Sequence, residues 1–240
     1  MVSFRAKILV VDDDLAMLNL LGEVLSNMGT EPRLVQSSRQ AAEIINKEKF
    51  DGVLLDWLMP ELDGLQLAER VRWSKTNSTC PMIMLTANQE PDAMRQCFRV
   101  GINFFLQKPA TVERIQSLVK AARDLMLQER LRYQRLPLVA RVHCHWQVQS
   151  YEQQASGESV NLSTSGMLAR LDIEPPAGAL VHLSFPLPAQ KEPFVCTACV
   201  VRHAAGGHVG LRFVNLSREE RWRLLGFSKA AMGEAVAHVL

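Results

Sequence analysis

The residues able to do chemistry in the first half of this chain are Asp12-Asp13-Asp14, Asp56, Thr86 and Lys108-Pro109. Each group lies just after a short run of β-branched or leucine-rich sequence, Ile8-Leu9-Val10-Val11 being the first. Two carboxylates about 5 Å apart repel by about 3 kcal/mol at an effective dielectric of about 20. Three gathered in one place call for a cation, and donors that are all oxygen suit Mg²⁺. Lys108 would add a fixed positive charge and Thr86 a hydroxyl donor, both suited to an anion held beside that ion. Taken singly, each residue has a plainer reading; Asp14, for one, stands where an N-cap belongs before Leu15.

To bring these groups together the chain needs a sheet. Residues 7–11, 33–36, 52–55, 82–85 and 103–106 read as strands, and 15–28, 38–46, 65–73 and 91–100 as the helices between them. Leu18, Leu21, Leu25 and Met28 recur at helical spacing, and Gly29 stands at a helix C-cap. The alternation predicts an α/β fold, a doubly wound parallel five-stranded sheet with helices on both faces. Ligands of such sheets lie beyond the carboxyl ends of the strands, where Asp12, Asp56, Thr86 and Lys108 all fall. A fifth helix starts at Thr111 as N-cap and continues without Gly or Pro to Arg135, its apolar stripe fading at Glu129. It reads either as a lever or dimer contact, or as a helix that covers its own sheet and frays.

The segments ILVVDDD, LLDWLMPELDG, LTA and FFLQKP resemble the motifs of flavodoxin-like response-regulator receiver domains. The resemblance implies a receiver over residues 1–128, with the helix extended to about 133 as linker. It implies that Asp56 is the phospho-acceptor, modified by a phosphohistidine of a sensor histidine kinase. Asp12, Asp13, Asp56 and the backbone carbonyl of Leu58 would hold Mg²⁺, with Asp12 acting through water. Lys108 would pair with the acyl phosphate and Thr86 would donate to it, and Lys108-Pro109 would be a cis bond. Phe105 stands at the switch-aromatic position, often Tyr in this family. Phosphorylation adds about −1.5 to −2 charge; Thr86 would move inward, Phe105 would follow, and the face around the fourth helix and fifth strand would change shape.

After Pro137 the pattern turns to period two. Residues 139–149, 159–162, 167–171, 179–185, 194–203 and 209–214 read as strands, with Ser156-Gly157, Ser165-Gly166 and Gly206-Gly207 among the turns. Six short strands predict a six-stranded antiparallel β-barrel. A C-terminal helix follows, N-capped by Ser217, with Trp222, Leu225 and Phe227 expected to pack on the barrel. Arg130, Arg132 and Arg135 at the entry, with Asn161-Leu162-Ser163-Thr164-Ser165-Gly166, carry the chemistry here. Guanidinium binds phosphate and guanine edges, Asn reads a base edge, and Gly admits a close backbone approach. On residue chemistry alone, a solvated helix end and a plain turn explain the same residues.

NLSTSG matches the (D/N)xSxxG signature of PilZ domains, and GGHVGLRFVNLSREERWRLLGF is similar to that family's last strand and helix. The resemblance implies a PilZ-like domain over 129–240 that binds cyclic di-GMP through Arg130, Arg132, Arg135, Asn161, Ser163 and Gly166. One position departs: the family's entry motif is RxxxR, and with Arg135 as its last residue the first position holds Leu131.

Cys196-Thr197-Ala198-Cys199 invites a zinc or redox reading, but residues i and i+3 of a strand face opposite ways, so structural thiols are expected. His143, His145, His182, His203 and His208 form no HExxH motif and are given no role. With 48% hydrophobic and 22% charged residues, the chain is neither disordered nor a disulfide miniprotein. No apolar run approaches the roughly 20 residues of a membrane span, and no signal peptide is recognisable, so a cytoplasmic location with reduced cysteines is expected. Residues 1–128 carry 15 Lys+Arg against 16 Asp+Glu, and residues 129–240 carry 12 against 9, a seam that suggests two modules. The excess is too small for duplex DNA but fits a small anion.

The expectation is a bacterial two-component response regulator, not an enzyme, phosphorylated on Asp56 and sensing cyclic di-GMP. Its output is expected to be contact with a downstream protein or a second copy of itself, without DNA binding. The alternatives are a phospho-gated interaction module whose barrel no longer binds nucleotide, and an enzyme or metal protein built on the His and Cys set.

Overall fold

The computed structural model describes residues 5–87 and 91–231. The chain divides into two compact units, one ending at Arg130 and one running from Leu131 onward.

The first unit alternates β1 (Lys7–Val11), α1 (Leu15–Asn27), β2 (Glu31–Val35), α2 (Ser38–Lys47), β3 (Gly52–Asp56), α3 (Gly64–Trp73), β4 (Met82–Thr86), α4 (Pro91–Val100), β5 (Phe104–Gln107) and α5 (Val112–Tyr133). All five strands are parallel, in the order β2-β1-β3-β4-β5. The period of two divides the central strands between two apolar layers. Leu9, Val11, Val53 and Leu55 pack with Ala41, Ile45 and Leu67. Ile8, Val10, Leu54 and Ile83 pack with Leu21, Leu25, Ile115 and Val119.

Local signals set the helix ends. Asp14 Oδ1 accepts from Ala16 N–H at 2.8 Å and caps α1. Gly29, at φ +77°, lets the chain turn out of it. β2 begins earlier than its sequence suggests, with Glu31 N–H donating to Ala6 at 2.8 Å. Pro32 hides this start, yet β2 is the outermost strand, where a missing N–H is tolerated.

α5 ends at Tyr133, within the run free of Gly and Pro that continues to Arg135. The fading of its stripe at Glu129 marks a polar clamp. Glu129 is buried, bonded to Lys49 and, at 3.0 Å, to Thr79 Oγ1. Arg130 Nη1 meets the buried Asp51 carboxylate at 3.1 Å, and Asp51 also accepts from Lys7 N–H at 2.8 Å. Burial raises the Asp51 pKa above its ordinary value, against the lowering effect of these two donors.

The second unit contains β6 (Leu136–Pro137), β7 (Arg141–Val148), β8 (Tyr151–Ser163), β9 (Gly166–Leu171), β10 (Leu180–Phe185), β11 (Phe194–Ala204), β12 (His208–Val214) and α6 (Arg218–Ala231). Six antiparallel strands close in the cycle β7-β10-β11-β12-β9-β8, and the short β6 lies along β8. Val142, Trp146, Phe185, Phe194 and Leu211 fill the interior.

Two local expectations fail. The hairpin turn after β7 lies at Gln149-Ser150, with Gln149 at φ +55°, and Ser156-Gly157 sits inside β8. The reason for Gly157 is long-range: a Cβ there would stand 1.9 Å from the Arg170 carbonyl oxygen, where β8 and β9 close the barrel. In α6, capped by Ser217 Oγ accepting from Glu220 N–H, it is Leu224 that enters the core, with Phe227 against it. Trp222 is 60% exposed. It stands two residues from Leu224, and i,i+2 residues do not share a helix face. Among the described residues no helix is long and apolar enough to cross a membrane.

Candidate functional site

In the first unit, parallel pairing of β1 with β3 sets Val11 opposite Leu55, so the next residues, Asp12 and Asp56, emerge side by side. One oxygen each from Asp12, Asp13 and Asp56 lies within 4.8 Å of the others. Asp12 and Asp56 are buried. Lys108, which follows β5, reaches across two strands to place Nζ 2.8 Å from Asp56 Oδ1 and 3.1 Å from Asp12 Oδ2. Its backbone N–H bonds the Thr86 carbonyl at 2.9 Å, and the Lys108-Pro109 bond is cis. Thr86 is buried at the end of β4. Phe105 is half-buried and meets Phe98 edge-on at 5.1 Å. Leu58 lies in the loop after β3 with an exposed side chain, leaving only its carbonyl to serve a metal.

Burial raises the Asp12 carboxyl above its ordinary value, and the Asp56 charge pushes the same way, against the Asp14 N–H and Lys108 bonds. Burial alone would lower Lys108, but the hydrogen bonds it donates to Asp56 and Asp12, and their charges, outweigh it and the net shift is upward. The three carboxylates form a hard, all-oxygen donor set that fits Mg²⁺.

In the second unit the candidate residues surround the two-residue turn between β8 and β9. Ser163 Oγ is buried, 3.2 Å from both Ser165 Oγ and the Gly166 carbonyl. Ser165 Oγ donates to the Arg132 carbonyl at 2.7 Å, tying the turn to the linker. A Cβ on Gly166 would stand 2.2 Å from the Leu211 carbonyl, so packing alone already requires glycine. Asn161 Oδ1 and Gln134 Oε1 are buried without hydrogen-bond partners among the described residues. Arg132 and Arg135 are exposed; Arg130 lies in the first unit, on Asp51. Leu131 is fully buried.

Residues 8–120 match the model of the response regulator receiver domain, and residues 129–229 match that of the PilZ domain. The chain is a receiver domain followed by a PilZ domain. The receiver is 32% identical over 114 residues to the phosphate regulon transcriptional regulatory protein PhoB of Pseudomonas aeruginosa, covering 48% of this chain and 50% of that one. It is 34% identical over 115 residues to response regulator MprA of Mycolicibacterium vanbaalenii, covering 48% of this chain and 49% of that one. The chain thus spans about half the length of these curated relatives. Chemotaxis response regulator CheY4 of Vibrio cholerae aligns with a TM-score of 0.48 at 26% identity, over 49% of this chain and 98% of that one.

The His and Cys residues of the PilZ domain behave as its strands dictate. Cys196 points into the barrel and Cys199 outward. Burial pushes Cys144 up to about 11 and Cys196 up to about 12. His143, His145 and His182 lie on the outer face, His145 stacked on His182 at 5.0 Å. Among the described residues, the receiver carboxylates are the one group of three potential metal ligands within mutual reach. Sequence reading missed the Glu129 clamp of the receiver and the buried Gln134 Oε1 of the linker, which has no partner among the described residues. A polar residue interrupting an apolar stripe was the available signal for the first; the second had none.

Proposed function

We propose that this protein is a two-input signalling switch, phosphorylated on Asp56 by a sensor histidine kinase and binding cyclic di-GMP on its PilZ domain. The observation that carries the first input is the convergence of Asp12, Asp13 and Lys108 on the Asp56 carboxylate. A carboxylate oxygen of Asp56 attacks the phosphorus of the phosphohistidine. An O–P bond forms, the P–N bond breaks, and its electron pair stays on the leaving imidazole. Lys108 exchanges its contact with Asp56 Oδ1 for the phosphoryl oxygens, and the Thr86 hydroxyl donates to them. Mg²⁺ held by Asp12, Asp13, Asp56 and the Leu58 carbonyl would neutralise charge on the transferring group. As Thr86 and Phe105 shift, the face of α4, β5 and α5 is remodelled to meet a downstream protein in the bacterial cytoplasm.

The second input is supported by the orphaned Asn161 Oδ1, an acceptor awaiting a donor in the NLSTSG turn. Arg132, Arg135, Ser163 and Gly166 would complete the site; Arg130 would have to leave Asp51 to join it. A second reading keeps the phosphorylation and assigns the barrel to protein contact alone. It is favoured by Leu131, a buried apolar residue where the family motif has its first arginine.

Acetyl phosphate with magnesium should label the intact protein on Asp56, and Asp56→Asn should abolish the label; labelling elsewhere, or none, overturns the first input. Titration calorimetry with cyclic di-GMP should give saturable heat that weakens in Arg135→Ala. No heat from folded protein at tens of micromolar ligand would leave the second reading.

A further inference from the structure

The linker has lost one motif arginine, and the barrel offers a cation from a distant strand. β11 bulges between Val200 and Arg202, so both Val201 and Arg202 are exposed. From Arg202 one register row crosses the sheet: Arg202 opposite Gly210 of β12, Gly210 opposite Leu168 of β9, Leu168 opposite Asn161 of β8, and Asn161 opposite Pro137 of β6. The row therefore ends two residues after Arg135.

Gly210 leaves a gap in that row, and Arg202 lies across it. A Cβ at Gly210 would stand 2.7 Å from Arg202 Cγ and 3.1 Å from its Nε. The side chain thus lies over β12, in the direction of β9 and the NLSTSG turn. Arg135 is close enough to feel its charge: burial lowers the Arg135 pKa, and repulsion from Arg202 lowers it further. Among the described residues, neither arginine has a carboxylate or hydrogen-bond partner for its guanidinium. Two like charges that repel each other, without a counter-charge among the described residues and on a register row with an orphaned acceptor, fit a ligand that carries anionic oxygens together with N–H donors.

Resting on the reading of the barrel as a cyclic di-GMP receptor, we propose that Arg202 is a ligand-contact residue of that site. With Arg135 it forms the guanidinium pair that Leu131 denies to the linker, and it holds a phosphodiester of the dinucleotide.

Titration calorimetry of the full chain with cyclic di-GMP tests this. Arg202→Gln should weaken binding about 10- to 150-fold, the loss expected for one charge-assisted hydrogen bond, and flatten the salt dependence of affinity. Arg202→Lys should retain part of the affinity and most of the salt dependence. The unfolding temperature of the ligand-free protein should not move, which separates contact from folding. Gly210→Ala keeps the arginine but obstructs its path, and should weaken binding as well. If wild type binds and Arg202→Gln binds within twofold of it, Arg202 makes no contact while the receptor reading stands. Should Arg202→Gln fail to fold, undiminished binding by Gly210→Ala overturns the proposal in its place. Absence of heat from wild type removes both readings together.

Discussion

The two candidate sites are opposites in how their charges are balanced. The receiver pocket is closed on itself: Lys108 bridges Asp12 and Asp56, and every partner lies at the end of a strand or just beyond it. The barrel surface is open: among the described residues Arg135 and Arg202 lack counter-charges and Asn161 Oδ1 lacks a donor. A site of the first kind works by exchange, since a newcomer must displace bonds already made. A site of the second kind works by completion, since a ligand relieves a deficit the fold carries. The first should lose stability when its cation is removed, and the second should gain stability when a ligand arrives.

The largest expected effect breaks the closed site. Lys108→Ala leaves the buried Asp12 beside Asp56 without its cation, and removing one partner of a buried pair costs about 3–5 kcal/mol. Urea unfolding of the receiver in chelator should report it, and Asp12→Asn in the same background should restore part of the loss. Equal stability of Lys108→Ala and wild type would erase the contrast. Next comes completion of the open site. Cyclic di-GMP at about 100 times its dissociation constant should stabilise the barrel by about 2.7 kcal/mol, seen as a shift of its thermal transition with the receiver transition unmoved.

Gly157→Ala tests the frame that holds the open site. Its methyl meets the Arg170 carbonyl, and overpacking of this kind costs about 1–3 kcal/mol; calorimetry should assign the loss to the barrel transition alone. The smallest effect is chemical. Cys144 and Cys196, raised to about 11 and 12, keep their protons far above pH 8, and Cys80 is raised as well. The folded fraction of a raised-pKa thiol becomes thiolate only as pH climbs through that raised value. A thiol reagent near pH 8 should therefore modify Cys199, the half-buried one, and spare the rest until denaturant is added. Rapid labelling of Cys196 would mean that the barrel opens in solution.

The receiver was legible because its chemistry sits at strand ends, where residue type, spacing and topology agree. Once the sheet is parallel, Asp12, Asp56, Thr86 and Lys108 have one crevice to share. Capping at Asp14, Gly29 and Ser217 was equally plain, because each acts on its own neighbours in sequence. The barrel was legible as a class but not in detail. Gly157 reads as a turn until Arg170 is placed beside it, and nothing local in the sequence sets Arg202 against Gly210. Trp222 looked like an anchor by size, yet the face of α6 is set by Leu224. These features depend on register between strands distant in sequence, which no local pattern encodes.

Closure of the barrel also governs how it can meet other proteins. Each of the six strands has a neighbour on both sides, but not along its whole length: β8 pairs with β7 over residues 151–158 and with β9 only over 157–163, and β7 meets β10 only at His143–His145. The end of the β7–β8 hairpin, Trp146–Val148 with Tyr151–Gln154, thus keeps a main-chain border with no strand beside it among the described residues, the kind of edge on which an extended peptide can template itself. Around the closed part of the barrel a binding partner must recognise side chains, and at that hairpin tip it could borrow main-chain bonds.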